Sequence, residues 1–428
     1  MMRYLSYALL GLGLYCLTAS AIWAQVQFST VNAPSSPVKR ACGTSGYSQL
    51  QEELHPGLAE QRQQLEKEVQ RILNNTSSLN SKTQLANTIP VVVHVVYYNA
   101  QDSLSFSRIQ SNITQLNVDY NRLNFDTVLT PNPFRPIAGR MGIQFVLANR
   151  DPNQQQTNGV TYTKTNINGF GLDDKMKFTA QGGKDIWDRT QYLNIWVCKL
   201  NNSLLGYATQ PDPSPSSDSI DGIVIDYQYF GGPGTGASAP YNSGRTLTHE
   251  VGHYLGLYHI WGDTNCGDDF VNDTPTSTAE HYGCPSYPQP DCSSSSAGAM
   301  YMNYMDYTDD QCMNIFTNGQ VARMNSFMAT APRAALYNSP GITNIGASII
   351  KEEGIRVYPN PSQDGIFYVD TEDADLLESC QMYCSPMHNP KELSTAKGVI
   401  DLSAYPAGVY FLQFRKDDQL KVVRLIKY

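Results

Sequence analysis

Residues 248–259 read Thr-His-Glu-Val-Gly-His-Tyr-Leu-Gly-Leu-Tyr-His. His249 and His253 are four residues apart, so on a helix both imidazoles project from one face and can share one cation. Glu250 adjoins the first of them, where a carboxylate can reach a water held by that cation. Gly256 can take positive φ and end the helix, and the turned chain can then bring His259 to the same ion. Three neutral nitrogens leave one corner of a tetrahedron open, the arrangement of a catalytic zinc site and not of a structural one. By average residue usage, His-Glu-x-x-His arises in about one chain of this length in a hundred; with the glycine and third histidine, in roughly one in fifty thousand. At that rarity, histidines scattered on an amphipathic helix are a poor alternative.

A helix carrying such a site must rest on a sheet. Ile89-Pro90-Val91-Val92-Val93-His94-Val95-Val96 is a continuous apolar run of strand length, suited to a strand covered on both faces. Ile109, Ile113, Leu116, Tyr120 and Leu123 recur at helical spacing, which predicts an amphipathic helix over 105–124. Ile143, Phe145 and Leu147 alternate, as do Leu193, Ile195 and Val197, and Gly222-Ile223-Val224-Ile225 is another short run. Strand, helix, strands, helix implies an α/β or α+β domain with a mixed sheet. The Pro- and Ser-rich stretch 211–219 reads as an exposed loop. Periodicity then disappears from Trp261 to Thr317, where Cys266, Cys284, Cys292 and Cys312 lie. With no Cys-x-x-Cys pair, these read as two disulfides holding irregular backbone. Thr317 and Gln320 form a capping-box pattern ahead of Val321, Met324, Phe327 and Met328, a second helix. Residues 25–85 are polar and helix-prone over 50–74, interrupted at Pro56-Gly57, with too few apolar residues to bury a core of their own. They read as a leader that packs on something else. The last part, from 355, alternates strands and turns, as in a small β-sandwich.

Lys+Arg 30 against Asp+Glu 39 gives a formal charge of −9 over 428 residues, enough chain for two or three folded units. Apolar content of 41% and charged content of 16% are those of a globular protein. The acidic balance and the lack of any Lys/Arg run argue against nucleic acid or an anionic membrane as partner. Met1-Met2-Arg3, an apolar stretch over 8–22, and Ala21 and Ala24 form a secretory signal pattern, so a secreted or cell-surface location is expected. An exported chain suits the nine cysteines, one of which, Cys16, would leave with the signal.

The long histidine motif resembles that of the metzincin metallopeptidases, and Asn303-Tyr304-Met305-Asp306-Tyr307 is similar to their methionine-containing turn, with Met305 as an apolar floor beneath the histidines. Tyr307 stands where several metzincins keep a tyrosine whose phenol donates to the developing oxyanion; a packing tyrosine is the alternative. Within that group the chain resembles the pappalysin family, especially its bacterial cytophagalysin-like secreted members. The resemblance rests on residues 89–96, Tyr192-Leu193-Asn194-Ile195-Trp196-Val197, Gly244-Arg245-Thr246-Leu247-Thr248 and Tyr304-Met305-Asp306-Tyr307-Thr308, and covers about 42–336. It implies an α+β metzincin-like catalytic domain: a twisted mixed sheet and active-site helix over an irregular lower half stapled by Cys266–Cys292 and Cys284–Cys312. It further implies a secreted zinc endopeptidase acting on protein or peptide substrates through a zinc-activated water, with Glu250 as general base and His249, His253 and His259 as zinc ligands.

Arg40-Ala41-Cys42-Gly43-Thr44 resembles the cysteine-switch segment of pappalysin-like zymogens, which makes Cys42 a fourth metal ligand in a latent form. A Cys42–Cys198 disulfide or a free thiol is the alternative. Cys198 itself reads as a buried thiol, and Cys380 and Cys384 as the ends of a small loop or as separate thiols. Activation is expected to cut between about 59 and 86, with Arg62 and Arg71 as candidate sites. Asp268, Asp269, Asp273 and Thr276 offer hard oxygens for a calcium ion or, equally, a solvated acidic turn. Pappalysin-like enzymes often cut near basic residues by means of a primed-side carboxylate. The stretch 319–336 has no acidic residue, and Asp306, Asp309 and Asp310 cannot be assigned to that pocket, which leaves an apolar preference open. Tyr358-Pro359-Asn360-Pro361-Ser362, Gly408-Val409-Tyr410 and Arg424-Leu425-Ile426-Lys427 resemble a sorting domain of the bacterial type IX secretion system, implying the outer-membrane secretion machinery as partner. The expected organisation is a signal peptide 1–24, propeptide 25–80, catalytic domain 81–338, linker 339–353 and C-terminal β-sandwich 354–428, acting as a monomer. A non-proteolytic adhesin on the same scaffold, or a zinc hydrolase of non-peptide bonds, is the rival reading.

Overall fold

The computed structural model describes residues 39–75, 87–331, 333–342, 355–358, 362, 365–371, 380–384, 391–392, 398–405, 408–416 and 419–427. The signal segment 1–24, the stretch 76–86, most of the linker and the turns at Pro359-Asn360-Pro361 and Pro406-Ala407 lie outside them. Two helices come first, α1 (Thr44–Leu54) and α2 (Leu58–Asn75). They part at His55–Gly57, where Gly57 takes φ +91°. α1 therefore begins six residues before the expected helical stretch, directly behind Cys42 and Gly43.

The sheet is built on β1 (Asn87–Tyr97), whose β-branched run is buried on both faces. After it come α3 (Phe106–Tyr120), β2 (Ile143–Leu147), β3 (Val160–Lys164), β4 (Leu193–Cys198), β5 (Gly206–Ala208) and β6 (Ile223–Asp226). The order is β2-β1-β4-β6-β5, with β3 continuing alongside β1 where β2 ends. All pairs are parallel except β5 with β6, so a short antiparallel strand forms the rim. Ser105 caps α3 by accepting from the Arg108 N–H. The apolar stripe Ile109, Ile113, Leu116 and Tyr120 packs on one sheet face together with Leu247 and Val251 of α4 (Arg245–Tyr254). The other face carries Val96, Trp196, Cys198 and Val224, packed against Phe170, Met176 and Tyr47 of α1.

Below α4 the chain is irregular. Cys266–Cys292 and Cys284–Cys312 are bonded, in the pairing that the family resemblance implied. α5 (Asn318–Met328) opens with the Thr317–Gln320 capping box. Phe327 on α5 packs with Leu65 and Val69 of α2, so the leader helices do find their core on the rest of the chain. The stretch 211–219 is the exposed loop expected only in part: Pro213, Asp218 and Ser219 face solvent, but Asp212, Ser214 and Ser217 are buried. Asp212 accepts from the Ser214 N–H and the Ser217 hydroxyl, and Arg189 donates to the carbonyls of Asp212 and Ser214, so the loop's polar groups find partners inside the protein.

At the C-terminus, β7 (Ile355–Tyr358), β8 (Ile366–Thr371) and β11 (Val399–Asp401) form one antiparallel sheet. β9 (Cys380–Cys384), β10 (Lys391–Glu392), β12 (Gly408–Lys416) and β13 (Gln419–Lys427) form another. Phe367 and Ile400 from the first meet Tyr410, Leu412 and Leu425 from the second, giving a two-sheet sandwich. Cys380 and Cys384 are the two ends of one strand paired to β12.

Candidate metal centre

α4 starts at Gly244, whose φ of 82° sets the chain's entry, and all ten of its residues are buried. His249 and His253 project from one face, and Gly256, at φ +92°, turns the chain so that His259 returns to them. A Cβ at position 256 would collide with the Phe327 ring, and one at 252 with the Met305 sulfur, so both glycines also permit close packing. Met305, fully buried, thus lies directly against α4.

The three Nε2 atoms stand 3.1 Å (His249–His253), 3.1 Å (His253–His259) and 3.3 Å (His249–His259) apart. Nitrogens bound tetrahedrally to zinc at about 2.0–2.1 Å would be separated by roughly 3.3 Å, so the spacing fits that ion. Each Nδ1 faces an acceptor: the Tyr304 carbonyl at 2.7 Å, the Leu257 carbonyl at 2.9 Å and the Asp263 carboxylate at 2.5 Å, for His249, His253 and His259 in turn. These bonds fix each ring with its Nε2 lone pair turned to the common centre. Burial, followed by the facing imidazoles, holds His249 well below the ordinary histidine range and His253 at about 3. Both are neutral, as a metal ligand must be. Trp261 stacks on His259 at 4.4 Å, and the Tyr307 ring meets it edge-on at 5.0 Å.

Cys42 completes the cluster: its sulfur and the three imidazole nitrogens all lie within 4.8 Å of one another. Cys42 and Cys198 are both free, so the Cys42–Cys198 disulfide does not form. Residues 41–44 run beside β5, with the Leu205 N–H donating to the Ala41 carbonyl (2.9 Å) and the Gly43 N–H to the Gly206 carbonyl (2.8 Å). Cys42 donates to Glu250 Oε2 at 3.5 Å and Thr44 Oγ1 to the same oxygen at 3.0 Å. Burial pushes the Glu250 carboxyl up to about 7, against those two hydrogen bonds and Arg40. Burial and Glu250 also push the Cys42 thiol up, so a thiolate here needs a cation between the four ligand atoms. The Tyr307 hydroxyl donates to the Cys42 carbonyl at 3.5 Å, and burial keeps that phenol protonated.

Arg40 enters a second buried pocket. Its guanidinium pairs with Asp310 at 2.6 Å and lies over Tyr241 at 4.6 Å. Asp310 also accepts from the N–H groups of Ser243 and Arg245. Asp310, one of three aspartates that the sequence left unassigned, is fully buried and holds Arg40. Asp306 is committed elsewhere, to the N–H and Nδ1 of His281.

Asp268, Asp269, Asp273 and Thr276 are not brought to one centre. Asp273 accepts from Thr317 Oγ1 (2.6 Å) and the Gly319 N–H (2.8 Å) at the start of α5, while Asp269 accepts from Thr274. Among the described residues the Cys42–histidine group is the one cluster of three or more His, Cys, Asp or Glu that converges. Sequence reasoning also missed the supports. Asp119 accepts from Thr248 Oγ1 (2.8 Å) and the Tyr304 hydroxyl (3.1 Å), and Arg245 pairs with Asp126 (2.6 Å). An aspartate on the inward face of α3 was the only sequence sign of this network.

A family model described as pregnancy-associated plasma protein-A, a peptidase family, matches residues 178–329. An extracellular metalloprotease of Arthroderma otae is 31% identical over 243 residues, which are 55% of this chain and 76% of that protein. The chain belongs to the pappalysin family of metallopeptidases. Another extracellular metalloprotease, from Arthroderma benhamiae, is 29% identical over 308 residues, 70% of this chain and 88% of that one. Among solved structures, mature mirolysin of Tannerella forsythia in complex with a cleaved peptide is 47% identical with a TM-score of 0.58, covering 59% of this chain and 96% of mirolysin. A promirolysin mutant is 43% identical with a TM-score of 0.64, covering 70% and 97%. As a pappalysin-family member the chain is a zinc metallopeptidase of α+β fold that acts on peptide substrates.

Proposed function

We propose that this peptidase is a secreted endopeptidase made as a zymogen, with zinc held by His249, His253 and His259 and the fourth position closed by Cys42 until residues 25–80 are removed. The convergence of the Cys42 sulfur with three Nε2 atoms carries this reading. The larger share of the chain matched by the proform of mirolysin, 70% against 59% for the mature form, supports a leader at this end.

Zinc, when bound, lowers the pKa of a water and polarises a substrate carbonyl. Glu250, freed of Thr44 and Cys42, takes a proton at Oε2 as the water's oxygen bonds to the carbonyl carbon. It returns that proton to the amide nitrogen as the C–N bond breaks. The Tyr307 hydroxyl, now donating to the Cys42 carbonyl, turns to the substrate oxyanion. Arg40 on Asp310 stands in for a substrate arginine, which favours cleavage beside arginine over an apolar preference. A buried Glu250 beside the cluster favours catalysis over the adhesin reading, since binding alone needs no general base.

The organisation proposed is that read from sequence: signal 1–24, propeptide 25–80, catalytic domain 81–338, linker 339–353 and a sorting sandwich 354–428 that engages type IX secretion machinery, with the chain monomeric. Calcium in the loop after α4 would draw on Asp268 or Asp269, since Asp273 is held by Thr317 and the Gly319 N–H. The test is cleavage of casein and of an arginine peptide by the processed chain, with and without chelator, beside Glu250→Ala. Cleavage that Glu250→Ala and chelation both abolish is expected; equal residual cleavage in all samples contradicts the assignment.

A further inference from the structure

Arg323 on α5 is 1% exposed, and its guanidinium is gripped from two directions. Nε donates to the Gly256 carbonyl at 2.8 Å, at the end of the active-site helix. The two terminal nitrogens hold Glu66 of α2 in a fork, at 2.8 and 2.7 Å. The rings of Tyr258, Phe270 and Phe327 surround the cation at 5.3, 5.5 and 5.1 Å. Every part of this cradle except Glu66 belongs to the body that remains once residues 25–80 are gone. The fork then presents two parallel N–H donors in a fixed, ring-framed plane, the geometry of a carboxylate receptor.

A cavity of about 1090 Å³ runs past the cradle: Arg323 itself does not line it, but its partners Glu66, Tyr258 and Phe270 do. It lies between the leader helices and a wall of Gln210, Tyr258, Asp263 and Phe270, and Glu66 also lines it. Asp263 accepts from His259 Nδ1, so one end of that wall is a single hydrogen bond from the metal centre. Withdrawal of α1 and α2 leaves an uncovered wall that reaches from Asp263, the partner of His259, to the Tyr258 and Phe270 rings around Arg323. Residues 41–44 lie beside 205–208, and Glu66 follows Cys42 in the chain whereas Arg40 precedes it.

We propose that the mature peptidase uses Arg323 as a remote specificity site for a carboxylate side chain of its peptide substrate, several residues from the scissile bond. Glu66 fills this site in the latent chain. The proposal rests on leader removal as described under the proposed function.

Processed wild-type chain is tested on peptides with one fixed arginine cleavage site and a single Glu, or Gln as control, stepped through positions three to ten on either side of it. Glu raises kcat/KM about tenfold at one or two adjacent positions, mainly through KM, and 0.5 M salt removes the gain. Equal rates for Glu and Gln at every position overturn the proposal while leaving the peptidase reading intact. Binding of a free 58–75 peptide to the processed chain provides a second readout, independent of catalysis. Weakening by about tenfold on Glu66→Gln supports the carboxylate receptor, and equal affinities overturn it. Cleavage of none of the peptides, with the binding difference present, contradicts the peptidase reading and not the receptor.

Discussion

At Glu250, Thr44 and Cys42 both donate to Oε2, so under the proposed latency the leader covers the base as well as the metal's open position. Latency and catalysis therefore meet at one oxygen. Tyr307 belongs to the same few ångströms: Tyr307→Phe in the processed chain should lower kcat about 10–100-fold with KM little changed, as steady-state kinetics on an arginine peptide would show. Away from the metal, burial pushes the Asp226 carboxyl up to about 6, against hydrogen bonds from the N–H groups of Leu200 and Gln228. Its folded pKa lies above the unfolded value, so the folded state holds the proton more tightly. That contribution is complete below about pH 4 and is lost as pH rises through 6. Asp226→Asn should therefore gain on wild type by about 1–2 kcal/mol between pH 5 and 8, read by urea unfolding. A constant difference across that range would contradict the burial argument. At this scale the His-Glu-x-x-His core was legible, because helix geometry alone brings residues four apart together. The Arg40–Asp310 pair was not, since 270 residues separate its members and only the fold joins them.

The active-site helix works because of how it ends. Gly256 lies at φ +92° against the Phe327 ring, so Gly256→Ala meets both backbone strain and a collision. It should cost about 2–4 kcal/mol and displace His259, which a lower Tm together with weakened zinc retention on dialysis would register. A variant with normal zinc content and Tm would show that the turn tolerates a side chain. Elements with strong periodicity were the ones sequence revealed: β1, α3, β4 and α5 all form where their apolar patterns put them, because each buries the face its pattern defines. The first six residues of α1 escaped notice because the helix's burial rests on Tyr47, Gln51 and Thr44, mostly polar groups satisfied by partners such as Asp174 and Glu250. The buried part of the 211–219 loop was misjudged for the same reason, since its burial depends on Arg189 reaching in from another segment.

Across the molecule, regular structure above the cleft is set against an irregular half whose order is covalent. Each disulfide there closes a loop of under thirty residues, with separations of 26 and 28. Replacing Cys284 and Cys312 by Ala should cost about 3 kcal/mol and lower the Tm, measured by calorimetry on the latent chain. The leader adds a third constraint, bound at Cys42, at Arg40 on Asp310 and at Glu66 on Arg323, so the latent chain is expected to melt above the processed one. All of this depends on one claim, that three imidazoles and the Cys42 sulfur share a zinc ion. X-ray absorption at the zinc edge on the purified latent chain tests it most directly. One sulfur at about 2.3 Å with three nitrogens at about 2.0–2.1 Å is predicted, the sulfur giving way to oxygen after processing. A first shell of nitrogen and oxygen alone in the latent chain, or no zinc at all, would contradict it.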